Sequence, residues 1–511
     1  MTDVRRSPVL DDAWRVVLLL TAALTILRIT ALFASPLDLY PDEAQYWLWS
    51  RALAFGYFSK PPVIAWTIWA TTSLGGDAEP WIRLASPLYH AGATLVVFAL
   101  ARRLYGEPAG LAAAALYALM PGVQLSAAIM ATDAPLLFFM SLTLLAYARL
   151  LDAAGRDRIV WAAAFGAALG LAFLSKYAAV YVVIGLVLHL AVSRPARAAW
   201  SAPAAAAALG ALGLILAPNL AWNAAHGFAT FQHTAANAAW GGRQLFNLPE
   251  LWDFVASQFG VFGPVPFGVL LGGAAVLALR RRLAAADVML LCFTLPPLLI
   301  VCAQAFISRA NANWSGAAYL PGAVLVGAWL IRWRAKWWLT GALAFQGVLA
   351  ALFLLWITVP ATAESMHMAN SFKRAKGWSQ LTRIVLERAQ AESGLTAIAV
   401  NSRFLYNAMA YYGRAELAQP GAPPLTIWLL ADEPRNQAEE TAPLTPALGG
   451  RVLGVSLEQT YRDRMVADFA AVSGREIVSV RLDNKRNRRA ELFLGEGFSP
   501  RPRLTDPATP P

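Results

Sequence analysis

Tyr40-Pro-Asp-Glu-Ala-Gln-Tyr-Trp-Leu-Trp-Ser-Arg51, followed after four residues by Gly56-Tyr-Phe-Ser-Lys-Pro-Pro62, sets two adjacent carboxylates and a lysine among aromatic side chains. The charged residues are Asp42, Glu43, Arg51 and Lys60, and hydrophobic segments lie on both sides. Pro41 suits the first turn of a helix, and the positive end of the helix dipole favours Asp42 and Glu43. Taken alone, the stretch reads equally well as a capped helix lying at a membrane surface and as the start of a polar site.

The rest of the chain decides what surrounds that stretch. Of 511 residues, 58% are hydrophobic and 14% charged, too apolar for a soluble enzyme of this size and typical of a polytopic membrane protein. Runs of spanning length fall at 14–34, 82–101, 109–130, 134–151, 159–175, 177–193, 200–221, 258–279, 287–307, 315–332 and 338–359, eleven in all. The run at 61–74 is short, follows two prolines and reads as a surface helix. The net charge of +11 belongs to cytoplasmic loops rather than to a nucleic-acid surface. With the N-terminus inside, sixteen Lys and Arg residues lie in inner loops and six in outer segments, so the chain reads as a bacterial inner-membrane protein. An odd number of spans then puts the C-terminus in the periplasm. The first apolar stretch is long enough to span and needs no cleavage site. Cys292 and Cys302 share one run and are too far apart along a helix to bridge.

On that outer face the titratable residues collect. Asp133 opens the fourth run in Met130-Ala-Thr-Asp-Ala-Pro135, and Lys176 closes the fifth; a helix cap and an interfacial lysine account for them equally well. Arg309 and Asn313 stand at the mouth of the tenth run, and His226 and His233 in the loop before the eighth. Arg28 sits inside the first run, where it must face protein or water. Carboxylates (Asp42, Glu43, Asp133) and cations (Lys60, Lys176, Arg309) from remote segments thus map to one leaflet. A carboxylate can take the proton of an attacking hydroxyl, while lysine and arginine stabilise a departing phosphate. Tyr46 and Tyr57 offer ring faces to a sugar or an isoprenoid chain, and Asn313 and His233 offer polar contacts. The chain has no nucleotide fingerprint, and nucleotide sugars are absent outside the cytoplasm. The expected donor is therefore a sugar on a membrane lipid phosphate.

After Pro360 the composition changes. Amphipathic stretches alternate with β-like runs at Thr396–Val400, Leu425–Leu430, Arg451–Val455, Glu476–Arg481 and Glu491–Leu494. The expected organisation is a membrane region over 1–360, a small periplasmic α/β domain over 361–498 and a disordered tail over 499–511.

The Asp42-Glu43 pair, Tyr57-Phe-Ser-Lys-Pro-Pro62, Thr132-Asp-Ala-Pro-Leu136 and the tail domain together resemble the superfamily of aminoarabinose transferases and protein O-mannosyltransferases. These are membrane glycosyltransferases of the GT-C fold that use polyprenyl-phosphate sugars. The resemblance implies that Asp42 is the catalytic carboxylate with Glu43 its neighbour, that Lys60 contacts the carrier phosphate, and that Asp133 is the second acidic residue. It also implies inversion at the anomeric carbon. A lipid or glycan acceptor is expected because the tail domain is small and shows no evident peptide-binding module; a protein acceptor and a flippase of lipid-linked sugars are the alternatives. Two departures stand out. Aminoarabinose transferases carry Asp-Glu-Thr-Arg-Tyr where this chain has Asp42-Glu-Ala-Gln-Tyr46, and Phe-Glu-Lys-Pro where it has Phe58-Ser-Lys-Pro61. That glutamate is associated with a metal site, so Ser59 leaves a divalent metal an open question.

Overall fold

A computed structural model of the chain describes residues 11–228, 230, 246–457 and 459–502. Each of the eleven apolar runs is helical, but not each is one straight span. Among the described residues eight helices are long and apolar enough to cross a bilayer: Asp12–Ala34, Glu79–Tyr105, Asp133–Asp152, Gly155–Ser175, Ala202–Ala225, Ala285–Ile307, Ala312–Arg332 and Lys336–Thr358. Tyr177–Val192 is shorter. The run at 109–130 is Glu107–Leu119 and Pro121–Ala128, bent by 53°, and the run at 258–279 is divided between Leu248–Val261 and Pro264–Leu279, bent by 114°. Pro121 and Pro264 start the second member of each pair, where a missing N–H costs no intrahelical bond. Gly263 takes the φ of +100° that the sharper bend demands. The run at 61–74 is the 13-residue helix Val63–Gly75, too short to cross.

A broken helix inside a bilayer leaves carbonyls that water cannot reach. Side chains from other segments reach both breaks. Arg28 Nη2 donates to Ala118 O at 2.6 Å and Gln124 Nε2 to the same oxygen at 2.7 Å, so the in-span arginine faces protein. At the second break Gln346 Nε2 donates to Phe262 O at 2.9 Å. Away from these seams the helices turn bare apolar side chains outward, with Leu214 78% and Leu279 84% exposed. Such surfaces are stable only against lipid, and the chain is a multi-pass membrane protein.

The C-terminal part is a five-stranded mixed sheet in the order β2-β1-β3-β5-β4. Its strands are β1 (Ala397–Val400), β2 (Leu425–Ile427), β3 (Arg451–Ser456), β4 (Phe469–Arg481) and β5 (Asn487–Phe498). β1 runs parallel to β2 and β3, whereas β3–β5 and β4–β5 pair antiparallel. Alternation sorts the two faces. Ile398, Val400, Leu453 and Val455 pack under the helices Trp378–Ala391 and Arg403–Tyr412, while Ala397, Ala399 and Val452 face the other way with Phe493 and Met465. Gly454 leaves room for its register partner Phe493, whose ring a Cβ would meet at 2.2 Å. β4 begins seven residues before the run expected from Glu476, across an irregularity between Ser473 and Glu476. At the chain end, Ser499 N donates to Asp468 O and Arg501 N to Asp468 Oδ1, and the rest of the expected tail from 503 lies outside the described residues.

Replacing Gln346 with Leu keeps the volume but strands the Phe262 carbonyl. The expected loss is about 1–2 kcal/mol, read as a lower unfolding temperature in detergent.

Candidate active site

Glu43 is fully buried, and protein groups occupy its carboxylate. Arg83 grips it with Nε to Oε1 at 2.9 Å and Nη2 to Oε2 at 2.8 Å. Met130 N donates to Oε1 at 2.8 Å, and Tyr40 N, at the start of the helix, to Oε2 at 2.8 Å. Arg83 also donates to the Leu37 and Asp38 carbonyls, so one ion pair joins the approach to the helix Pro41–Ser50, the start of the Glu79–Tyr105 span and the segment before Asp133. Neighbouring residues on a helix point about 100° apart. With Glu43 turned inward, Asp42 is turned out and exposed.

The loop carrying Lys60 is held at every step. Tyr57 stacks on Trp49 with ring centroids 4.8 Å apart, and its hydroxyl meets Trp49 O, Ala52 O and Ala54 N. Asn219 Nδ2 donates to Phe55 O at 2.6 Å, and Gly56 lies so close to Trp222 that a Cβ would meet the ring at 2.3 Å. Trp66 Nε1 donates to Ala54 O at 2.9 Å. Tyr57 therefore uses its ring and hydroxyl to shape the loop. Lys60, at the end of this scaffold, accepts from Tyr57 N at 3.1 Å through its carbonyl, while its side chain makes no hydrogen bond or ion pair among the described residues. Its pKa is lowered by burial and by the nearby charge of Lys176, and raised less by Asp42 and Asp133.

Those same charges locate the centre. Lys176 Nζ lies 2.9 Å from Asp133 Oδ1, and Asn313 Nδ2 lies 3.4 Å from Asp133 Oδ2, so the ends of three spans meet there. Tyr46 is buried beside them; burial, and then Asp42 and Asp133, push its phenol well above the ordinary range. Arg403 opens the helix Arg403–Tyr412 of the C-terminal sheet domain, and its charge acts on both Lys60 and Tyr46. Asp42, Lys60, Asp133, Lys176, Asn313, Tyr46 and Arg403 thus form one polar group.

Other candidates lie elsewhere. Arg309 is exposed, and none of the described polar contacts brings its side chain to this group. His226 stacks on Trp222 at 4.0 Å, and His233 lies outside the described residues. No three His, Cys, Asp or Glu side chains among the described residues could hold a metal. At the site itself both Asp133 oxygens face a cationic or amide nitrogen.

Arg403 was the residue that sequence reasoning missed. A cation in the first turn of a helix opposes the helix dipole, which was the available signal. It reaches the site because the sheet domain is bolted to the first loop. Asp38 Oδ2 accepts from Trp378 N at 2.7 Å, Tyr412 OH accepts from Leu39 N at 2.7 Å, and Tyr411 OH donates to Asp77 O at 2.6 Å.

Comparison with known proteins identifies the family. Lipid A galacturonosyltransferase RgtD of Rhizobium johnstonii is 36% identical over 387 residues, 76% of this chain and 80% of that protein. The chain belongs to the GT-C membrane glycosyltransferases. A family model described as dolichyl-phosphate-mannose-protein mannosyltransferase matches residues 59–222 of this glycosyltransferase. The undecaprenyl phosphate-alpha-4-amino-4-deoxy-L-arabinose arabinosyl transferase of Pseudomonas aeruginosa is 31% identical over 150 residues, 27% of each chain. The fold is that of ArnT from Cupriavidus metallidurans in the apo state, with a TM-score of 0.66 at 17% identity over 94% of this chain and 97% of that one. A second structure of that protein, bound to undecaprenyl phosphate, has a TM-score of 0.65 at 17% identity over 94% of this chain and 98% of that one.

The two adjacent carboxylates should separate by stability. Glu43→Ala leaves Arg83 buried and unpaired and is expected to cost about 3–5 kcal/mol. Asp42→Ala, at an exposed position, should stay within about 0.5 kcal/mol of the parent protein. Thermal unfolding in the same detergent checks both.

Proposed function

We propose that this glycosyltransferase moves a sugar from a polyprenyl-phosphate carrier to a lipid-linked saccharide acceptor, lipid A being the acceptor class for which RgtD is named. The observation that carries the reading is an exposed carboxylate, Asp42, beside an unpartnered lysine, Lys60, with the Asp133–Lys176 pair completing the group. The acceptor hydroxyl attacks the anomeric carbon as Asp42 takes its proton. The bond from that carbon to the phosphate oxygen breaks on the opposite face, and the electron pair leaves with the polyprenyl phosphate. Lys60 and Arg403 stabilise that anion, and the configuration inverts. Asp133 keeps Lys176 in place, and Glu43 positions Asp42 without touching substrate.

In this reading the site lies on the periplasmic side of a bacterial inner membrane, with the N-terminus cytoplasmic. The sixteen-to-six distribution of basic residues supports that orientation. Residues 1–360 form the membrane catalytic region, 361–498 the domain that supplies Arg403, and 499–511 the tail. A flippase reading is weaker because the acidic group sits at one end of the spans and not at mid-membrane.

Release of free polyprenyl phosphate, measured in detergent across a panel of lipid-linked sugars, tests the reaction and identifies the sugar. Asp42→Asn is expected to lower turnover by about 10²–10⁴-fold with donor binding nearly intact. Full activity in a folded Asp42→Asn protein would remove Asp42 as the base.

The lowered pKa of Lys60 sets the sign of a pH effect. The ammonium, the form that holds phosphate, is lost at a lower pH than for an ordinary lysine near about 10.4. Donor KM should therefore rise on the alkaline side, and Lys60→Arg should move that rise to higher pH. An alkaline limb unchanged in Lys60→Arg would assign it to another group.

A further inference from the structure

Six cations that the transfer chemistry leaves unused surround one cleft of the sheet domain: Lys373, Arg374, Lys485, Arg486, Arg488 and Arg489. Two come from the turn Ala369–Ala375 and four from the tip and first residues of the β4–β5 hairpin, so two separate segments build the surface. The hairpin tip is closed by Leu482 N donating to Arg486 O at 2.9 Å.

Most of this charge is not neutralised by the protein. Asp483, the carboxylate at the tip, is buried and accepts from Lys485 N at 2.8 Å, and its nearest approach to Arg486 is 4.0 Å. Asp38 caps the helix Trp378–Ala391. Lys373, Arg374, Lys485 and Arg489 are exposed and make no ion pair among the described residues. Arg488 is fixed: it lies 3.5 Å above the Trp378 ring, and Nη2 donates to Lys373 O and Lys376 O at 3.1 and 2.9 Å.

The cleft does not end on the domain. Arg374, Arg488 and Arg489 also line a cavity of about 340 Å³ whose opposite wall is Tyr40, Pro41 and Asp42. Three of the six cations are therefore shared between the cleft and the cavity that reaches the proposed base, at the seam between the sheet domain and the first loop. Lys60 and Arg403, assigned above to the carrier phosphate, do not line that cavity.

We propose that this cleft is the acceptor site and that the acceptor carries phosphate or carboxylate groups on its saccharide. The cleft holds those anions while a neighbouring hydroxyl reaches Asp42. Guanidinium groups suit anionic oxygens through paired, charge-assisted hydrogen bonds, and Arg374 and Arg489 are exposed to make them. The proposal rests on the transfer reaction above and adds the chemistry and place of its acceptor.

The test uses the full-length protein in detergent, with diphosphoryl lipid A, the same lipid A dephosphorylated, and phosphatidylglycerol as probes. The variant is Lys485→Glu with Arg489→Glu; Arg464→Glu, exposed on the helix Gln459–Ala467, controls for net charge. The expected result is a rise of about tenfold in KM for diphosphoryl lipid A and a matching loss in its direct binding. Arg464→Glu should show neither change, dephosphorylated lipid A should bind the unaltered protein more weakly, and phosphatidylglycerol should compete poorly. Equal KM and binding in the double variant would overturn the cleft as acceptor site. Equal competition by phosphatidylglycerol would overturn it in favour of contact with the bilayer surface. Failure of the parent reaction looks different: the unaltered protein would then release no polyprenyl phosphate from any donor, whereas direct lipid A binding would still report on the cleft.

Discussion

The Glu43–Arg83 ion pair is the constraint on which the site depends. Removing both charges from water is costly, and Coulomb attraction alone seldom offsets that cost in a protein interior. Here the remaining hydrogen-bonding capacity is also filled: Glu43 receives two backbone amides and Arg83 donates to two backbone carbonyls. Three segments distant in sequence are therefore fixed by a single contact with little slack. A hydrophobic substitute of equal volume could fill the space, but it could not fix the rotation of the helix Pro41–Ser50. That rotation decides which of two adjacent carboxylates meets the cleft.

Precision at Lys60 arises differently. A lysine on a free loop loses side-chain and backbone entropy whenever it grips an anion. In this loop the backbone is already ordered by Tyr57, Asn219, Trp222 and Trp66, so only the side chain remains to be fixed. The hydrophobic bundle thus contributes to chemistry at a distance, because packing of Trp49 on Tyr57 is what keeps an unpartnered cation in place. Burial then makes that cation more responsive to an arriving negative charge than an exposed lysine would be.

Much of this was legible in the residues, and the failures have physical causes. Hydropathy located all eleven helical runs because burial in lipid requires apolar length, but it carries no direction, so the bends at Met120 and Gly263 went unseen. Pro121 and Gly263-Pro264 were their only local marks. Composition separated the sheet domain and β propensity found its five strands, although the ends of β4 and β5 depend on mutual pairing. Asp42, Lys60, Asp133 and Lys176 were singled out because charge at an apolar boundary is costly. Cost alone does not distinguish a side chain left open from one already engaged within the protein, and Glu43 and Tyr57 are of the second kind. Arg83 was one of only six basic residues assigned to outer segments, and its partner could not be inferred from spacing across forty residues.

Arg403 shows why the sheet domain belongs to the site. A cation at a helix N-terminus is locally unfavourable, and it persists where a negative group beyond the helix compensates. Asp42 and Asp133 from the membrane bundle push the Tyr46 phenol up while Arg403 pulls it down, so charges of both signs from the two parts of the chain meet around one ring. The domain is held in register by Asp38 capping the helix Trp378–Ala391 and by Trp47, whose ring meets Tyr411 edge-on at 4.9 Å while its Nε1 donates to Asp77 at 2.8 Å. The Asp38 and Tyr411 contacts tie the domain to the first loop itself, at Asp38 and Trp47, within a few positions of Asp42. Any displacement of the domain would therefore move Arg403 relative to Lys60 and disturb the helix that presents Asp42, so docking and site geometry are one equilibrium.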